Sequence, residues 1–188
     1  YDPSTTITDH ITSSGYDYLS YGMWDYSGSF TGSGTYQFVS HGWWLEGYAP
    51  PADIIAQQKG SIPYSGDAYG TLYSAMTDQA YDLSGSFSAT ANFDSGSIQN
   101  FSLAVTDGGN NGATISGGAS GAIQADGTFK ITGGDWDLIH AGTAYNPDHT
   151  GAHGRFFGPN VEEIGGDWGM SYSDLIGASG VWAGKKSQ

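Results

Sequence analysis

A chain of 188 residues holds one domain, or one domain with an appended arm. Five Lys and Arg against 19 Asp and Glu give a formal charge of -14, which excludes the phosphate backbone of nucleic acid and an anionic membrane surface as partners. The absence of cysteine excludes a disulfide framework and a thiolate metal site, while 14% aromatics, 31 Gly and 13 Tyr favour pleated surfaces and an all-β fold.

The chain opens at Tyr1 without Met, signal peptide or long apolar run, which fits a processed, secreted protein. Its Gly, Ser, Thr, Asn and Tyr-rich, Lys-poor text points to an extracellular or cell-surface setting. Residues 1–15, with Ile7 and Ile11 as the only aliphatics, cannot fold alone and read as an N-terminal arm that is free to pair with a neighbouring chain. A first strand runs from Tyr16 to Tyr26 with large side chains on both parities, so one face is covered and the other rimmed by aromatics. A second runs from Tyr36 to Gly47 and places Trp43 and Trp44 on opposite faces. The stretch from Ala49 to Gln58 tempts a helical turn after Pro51 but is short, and reads as a surface excursion.

Strand character resumes at Gly60. Leu83, Gly85, Phe87, Ala89, Ala91 and Phe93 alternate with Ser and Thr, the period of two that one-sided burial demands. Asp94-Ser95-Gly96 turns this strand, and Ile98 to Val105 returns; Ala113 to Ile131 makes a further hairpin turned at Asp126-Gly127. Gly133 to His153 is less strand-like and reads as an elaborated connection. Arg155, Phe156 and Phe157 then lead into a Gly158-Pro159-Asn160 turn, because proline presets φ and donates no ladder hydrogen bond. Gly165-Gly166 in the return strand marks a sharp bend or a close backbone approach. A last strand spans Leu175 to Gly184. About eight strands result, the number at which an antiparallel barrel closes and is filled by its own side chains or one small ligand.

The text from Phe157-Gly158-Pro159-Asn160-Val161-Glu162-Glu163-Ile164-Gly165-Gly166, followed by Gly180-Val181-Trp182-Ala183-Gly184-Lys185-Lys186, resembles the closing strands of the β-barrel domain shared by transferrin-binding protein B and factor H-binding protein lipoproteins. Gly60-Ser61-Ile62-Pro63-Tyr64-Ser65-Gly66-Asp67-Ala68-Tyr69-Gly70 is similar to that domain's early strand, and Ala91 to Gly96 to its mid-barrel hairpin. The resemblance implies one barrel over residues 16–188, exported to the outer-membrane surface of a Gram-negative bacterium or secreted, with a binding role toward host proteins, haem or other iron sources. Two departures stand out: the chain has no N-terminal Cys to carry a lipid anchor, and it holds one barrel where transferrin binders carry two lobes with handle domains.

Candidate chemistry is sparse. Glu162 and Glu163 are strand neighbours and point to opposite faces, so they cannot flank one glycosidic bond; Glu163 is expected to accept backbone or Tyr hydrogen bonds near the barrel end and Glu162 to be solvated. No Gly-x-Ser-x-Gly elbow precedes a helix, and a non-enzymatic role follows as the expectation. Asp107 to Gly112 lacks the ligand spacing of a calcium loop and reads as a plain turn. His149 and His153, beside Asp148, read either as a plain surface loop or as ligands for haem or a transition metal, with His140 and Tyr145 nearby in sequence to complete such a site and His41 next to Trp43 as a second axial candidate. The aromatic surplus at Tyr16, Tyr18, Tyr21, Trp24, Tyr26, Trp43, Trp44 and Tyr48 either fills and girdles the barrel or forms a recognition patch. The expected ligand, a protein or a small molecule, sits at one barrel mouth, with loops from Gly133 to His153 foremost. A structural subunit of an extracellular assembly is the alternative.

Overall fold

The structure, a computed structural model, describes residues 4–11, 15–31, 35–109 and 113–187. Three antiparallel strands open it, β1 (Ser4–Ile11), β2 (Leu19–Thr31) and β3 (Thr35–Gly47), in the order β1-β2-β3. A short helix, α1 (Ala52–Gln57), leads to the main sheet. This contains β4 (Ser61–Ser74), β5 (Gln79–Asn92), β6 (Ser97–Thr106), β7 (Thr114–Ile123), β8 (Thr128–His140), β9 (Thr143–Tyr145), β10 (His149–Phe157), β11 (Glu163–Tyr172) and β12 (Ile176–Lys186). The order β10-β11-β12-β4-β5-β6-β7-β8 closes on itself because β10 also pairs with β8, setting Ala152 opposite Ile131 and Arg155 opposite Thr128. The fold is therefore an antiparallel eight-stranded barrel, as the strand count implied, with β9 added on β8.

Barrel membership departs from the sequence reading. The aromatic strands at 16–26 and 36–47 are not staves; they supply β2 and β3 of a separate three-stranded sheet laid on the outer wall, and the staves begin at β4. Alternation alone cannot tell an inner wall from an outer one, since both bury one face of a strand. Residues 4–11 of the arm run along β2, with Ile7 opposite Tyr26; residues 1–3 and 12–14 lie outside the described residues. The expected connection from Gly133 to His153 is mostly strand, because β8 continues to His140 and β10 starts at His149. Gly133 and Gly134 take φ of 72° and 84° where the β7–β8 register shifts, and a Cβ on Gly134 would stand 1.8 Å from the Gly118 carbonyl oxygen. These glycines bulge the strand without ending it.

The interior explains the glycine content. Trp182 lies across the barrel with Phe87 at 4.3 Å, Phe101 at 5.5 Å and Phe129 at 6.0 Å between ring centroids. A Cβ on Gly154 would come within 2.6 Å of the Trp182 ring, one on Gly70 within 2.3 Å of Trp168, and one on Gly117 within 2.3 Å of Trp136. Small residues on one stave thus make room for an indole from another, the large-and-small alternation that fills a tight barrel. The indole N–H of Trp168 donates to the Tyr69 carbonyl at 3.0 Å and that of Trp182 to the Asp167 carbonyl at 3.2 Å, so neither buried donor is orphaned. Where two strands touch, glycine is equally required: a Cβ on Gly166 would stand 1.8 Å from the His153 carbonyl oxygen, the close approach expected of Gly165-Gly166.

Consecutive staves are antiparallel, so their connections alternate between two ends. The β5–β6, β7–β8 and β10–β11 turns share one end with α1, where Ile55 is buried against Gly127. At the other end lie the β4–β5, β6–β7 and β11–β12 turns and the segment 141–148 with β9.

Tyrosines at the junction of sheet and barrel, Tyr16 and Tyr21, and Tyr64 in the barrel core carry an alkaline signature. Burial, reinforced by the Asp67 charge, pushes the Tyr16 phenol up to about 12, and burial pushes Tyr21 and Tyr64 up as well. These phenols ionise more readily in the unfolded chain, whose ordinary value is about 10. Their contribution to stability is therefore intact below pH 10 and is lost as the pH rises past 10 and through about 12. Absorbance titration at 295 nm is expected to show a late-ionising group of tyrosines coincident with loss of tertiary circular dichroism; ionisation of all 13 tyrosines near pH 10 with the fold retained contradicts it.

Candidate functional site

Aromatic rings occupy the middle of the barrel, so a ligand has the ends and the outer wall to use. The small sheet is fastened to that wall by Glu163, which is 1% exposed. Its carboxylate accepts the amide N–H groups of Asp17 at 2.7 Å, Tyr18 at 2.9 Å and Leu19 at 3.0 Å, with the Lys185 ammonium 3.6 Å away. This is the backbone-accepting role expected of Glu163. Glu162, half-buried, accepts the N–H and side-chain amide of Asn160, both at 2.8 Å, and locks the Gly158-Pro159-Asn160 turn; these bonds hold its carboxyl below the usual range against the opposing effect of burial. Phe157 is buried among Leu19, Tyr21, Val181 and Ala183, and Gly158 donates its N–H to the Tyr48 carbonyl at 2.9 Å. Tyr21 stacks on Tyr69 at 5.6 Å and Trp43 stacks on Tyr69 at 6.3 Å, so these members of the aromatic set fill the sheet–barrel seam.

The six residues expected to bind a ligand fall in separate places. His140 and Tyr145 are at the mouth formed by segment 141–148. His140 is 1% exposed, its ring edge-on to Tyr81 at 5.0 Å, and neither ring nitrogen has a hydrogen-bond partner among the described residues. Tyr145 packs on Tyr172 at 5.0 Å. His149 and His153 both project outward from β10, but four residues along a strand is about 13 Å, too far to share one metal. His153 instead pairs with Asp167 at 3.1 Å. His41 meets Asp25 on the small sheet, and the Trp43 indole N–H donates to Thr71 at 3.2 Å. Among the described residues no three His, Asp or Glu converge as a metal site. A haem iron would need one of these imidazoles beside a flat open slot, and the most buried of them, His140, lies closed beneath Tyr81. In the Asp107 turn the carboxylate accepts the Gly109 N–H at 3.1 Å; residues 110–112 lie outside the described residues.

The mouth around His140 has a surface character that the sequence did not announce. Tyr73, Met76, Ile139 and Leu175 are 47%, 46%, 38% and 41% exposed, and all four stand at this end. Around them are Asp78, Asp107, Asp148 and Asp174. All five cations of the chain, Lys59, Lys130, Arg155, Lys185 and Lys186, are on elements or turns toward the opposite end. Beneath the apolar rim, Ser74 and His140 hold buried polar atoms without partners. The arrangement suits an apolar contact surrounded by negative charge. Residues from four separate segments, 73–78, 107, 139–148 and 174–175, meet only when the barrel closes, and no local motif marks them.

No protein-family model matches the chain, and no curated protein matches it in sequence. Solved structures do. Isotype 1 transferrin-binding protein B (TbpB) from serogroup B Neisseria meningitidis superimposes with a TM-score of 0.62 at 16% identity, over 99% of this chain and 35% of that one. A TbpB variant from Haemophilus parasuis gives 0.61 at 13% identity, over 96% of this chain and 35% of its own, and an intact TbpB with N and C lobes gives 0.60 at 13%, over 97% and 37%. The chain thus spans about a third of the length of these proteins, and the match takes in its small sheet as well as its barrel. With closure through β8 and β10, the small sheet on the outer wall and this superposition, the chain has a TbpB-like β-barrel fold.

Proposed function

We propose that this chain is an exported, non-enzymatic binding protein of a Gram-negative surface, and that it engages a protein partner with its apolar, acidic mouth. The observation that carries this reading is the gathering of Met76, Ile139, Leu175 and Tyr73, all exposed, at the end of the barrel where no Lys or Arg stands. Four large apolar side chains within a ring of aspartates form a surface whose desolvation favours association and whose field selects a basic, apolar counterpart. The structures sharing this fold are by title transferrin-binding proteins, which supports a protein ligand, of host origin, over a small one.

The test is capture from serum by immobilised wild type and by the double variant Met76→Asp, Leu175→Asp. Both positions are exposed, so the variant is expected to melt as wild type does. It is expected to lose about 30-fold in affinity for the captured protein, the loss typical of a central interface residue. Association with wild type is expected to slow as salt rises, because the attraction is between charges outside the contact. Equal capture by wild type and double variant refutes the assignment of the mouth.

A further inference from the structure

A second surface, away from the mouth, has the form of a receptor for an extended chain. Among the described residues strand β3 pairs on one side only, with β2. The Tyr48 N–H donates to the Tyr18 carbonyl at 2.9 Å, which sets the alternation of the β2–β3 ladder: even-numbered residues of β3 bond to β2, and Trp43 and Leu45 direct their N–H and C=O groups to the open edge. No backbone hydrogen bond among the described residues engages that edge at these two positions. Beside it lies a cleft of about 800 Å³, lined by Trp43, Trp44 and Leu45 on the sheet side and by Lys130, Arg155 and Gly165 on the barrel side.

The barrel side presents two outward rows. Thr128, Arg155 and Gly165 are cross-strand neighbours on β8, β10 and β11, and Lys130, His153 and Asp167 form the next row. Arg155, the single arginine of the chain, is half-buried and among the described residues makes no hydrogen bond or ion pair, and its Nε is both buried and unpartnered. The two carboxylates nearby have closer partners: Asp167 has His153 at 3.1 Å, and Asp126 has the N–H and hydroxyl of Thr128 at 3.0 and 2.7 Å, bonds that hold its carboxyl below the usual range with a smaller contribution from the Arg155 charge. A guanidinium with its fork free and a buried N–H calls for a carboxylate from outside the chain. Gly165, in contact with Leu45, carries no side chain to block the approach between the β3 edge and Arg155.

We propose that the cleft receives an extended acidic segment of a partner protein, added as a fourth strand to β3 with one carboxylate on Arg155. A strand laid about 4.8 Å outside β3, which itself packs over β11 and β12, stands above β11 and β10, with Arg155 of β10 and, on the adjoining β8, Lys130 pointing outward. Backbone bonding to Trp43 and Leu45 supplies affinity, and the cations select acidic side chains on the alternate positions that face the barrel. In a chain of net charge -14 this patch is where an acidic segment is tolerated, so its position on the surface is selective as well.

The experiment uses the full chain and a fluorescent, acetylated and amidated Val-Glu-Val-Glu-Val peptide, read by anisotropy. Saturable binding is expected. The Gln-for-Glu peptide and the Arg155→Gln variant are each expected to bind about tenfold more weakly or worse, Arg155→Lys to recover part of the loss, and N-methylation of alternate peptide amides to abolish binding. Lys130→Gln, at an exposed side chain, gives an independent smaller loss should Arg155→Gln melt early. Absence of saturable binding, or equal binding by the Gln peptide, overturns the proposal. So does undiminished binding of the N-methylated peptide, which would mean that the cleft holds a free carboxylate and adds no strand. None of these arms touches Met76 or Leu175, so this proposal and the assignment of the mouth fail or stand separately.

Discussion

Glu163→Ala is expected to destabilise the protein by about 3–5 kcal/mol, read from the urea midpoint, because it removes one acceptor from three amides at once. The Asp17, Tyr18 and Leu19 N–H groups converge on this carboxylate where the chain enters β2, and no other acceptor is given to them. Losing it leaves donors unpaired in a seam already lined by Leu19, Tyr21, Phe157 and Val181. The damage is expected to be local before it is global. Amides of 17–19 exchange early and protease cuts between 15 and 47 at denaturant concentrations where the barrel staves stay protected. Glu163→Gln keeps one carbonyl acceptor but turns an NH2 toward the same amides, and is expected to fall between wild type and Ala. A midpoint unchanged in Glu163→Ala, with Tyr18 and Leu19 still slow to exchange, refutes this account of how the small sheet is held.

Trp182→Ala is expected to cost about 3–5 kcal/mol and to weaken the barrel as a whole. The indole touches rings from three other staves, Phe87 on β5, Phe101 on β6 and Phe129 on β8, and it fills the space that Gly154 on β10 leaves open. On the β10 side the facing position is glycine and has no side chain to move into the void. The complementary change tests the same packing from the opposite side. Gly154→Ala would set a methyl about where the indole edge lies, 2.6 Å from two of its carbons, and is expected to destabilise by overpacking to the extent of about 1–3 kcal/mol. If Trp182→Ala with Gly154→Leu is no more stable than Trp182→Ala alone, simple volume complementarity is not the governing term.

Leu83 to Phe93 alternates apolar and polar residues, and each apolar member through Ala91, Gly85 apart, is buried, since a strand with one wet face has no other arrangement. The Gly158-Pro159-Asn160 turn and the close approach at Gly166 followed equally from local constraints, a fixed φ and a missing Cβ. Local rules stop at the question of what covers the buried face. Tyr16 to Tyr26 and Tyr36 to Gly47 alternate as well as any stave, yet they pack on the outer wall, because Tyr69 and Val181 offer there an apolar surface as good as an interior. Gly133 opened the stretch read as a connection, yet Gly133-Gly134 is a bulge, since β8 pairs with β7 on both sides of it, at Thr132 and again from Asp135.

For the candidate site the division is sharper. Histidines were the conspicuous residues, and closure of the barrel sends them apart: His140 under Tyr81, His153 to Asp167 and His41 to Asp25. Met76, Ile139 and Leu175 were inconspicuous, as single apolar residues near turns always are, and their exposure at one mouth depends on antiparallel staves returning to the same end. The amino-acid sequence by itself determined an all-β chain of alternating strands, its principal turns, and the close backbone approach at Gly165-Gly166, because each of these rests on the alternation of near neighbours or on the identity of one residue. Only the tertiary structure decided which strands are staves and which lie outside, that Glu163 ties the two sheets together, and that apolar and acidic groups meet at one mouth while Arg155 faces the open edge of β3. Those outcomes depend on closing β10 against β8, and closure is a property of the whole sheet that no single segment carries.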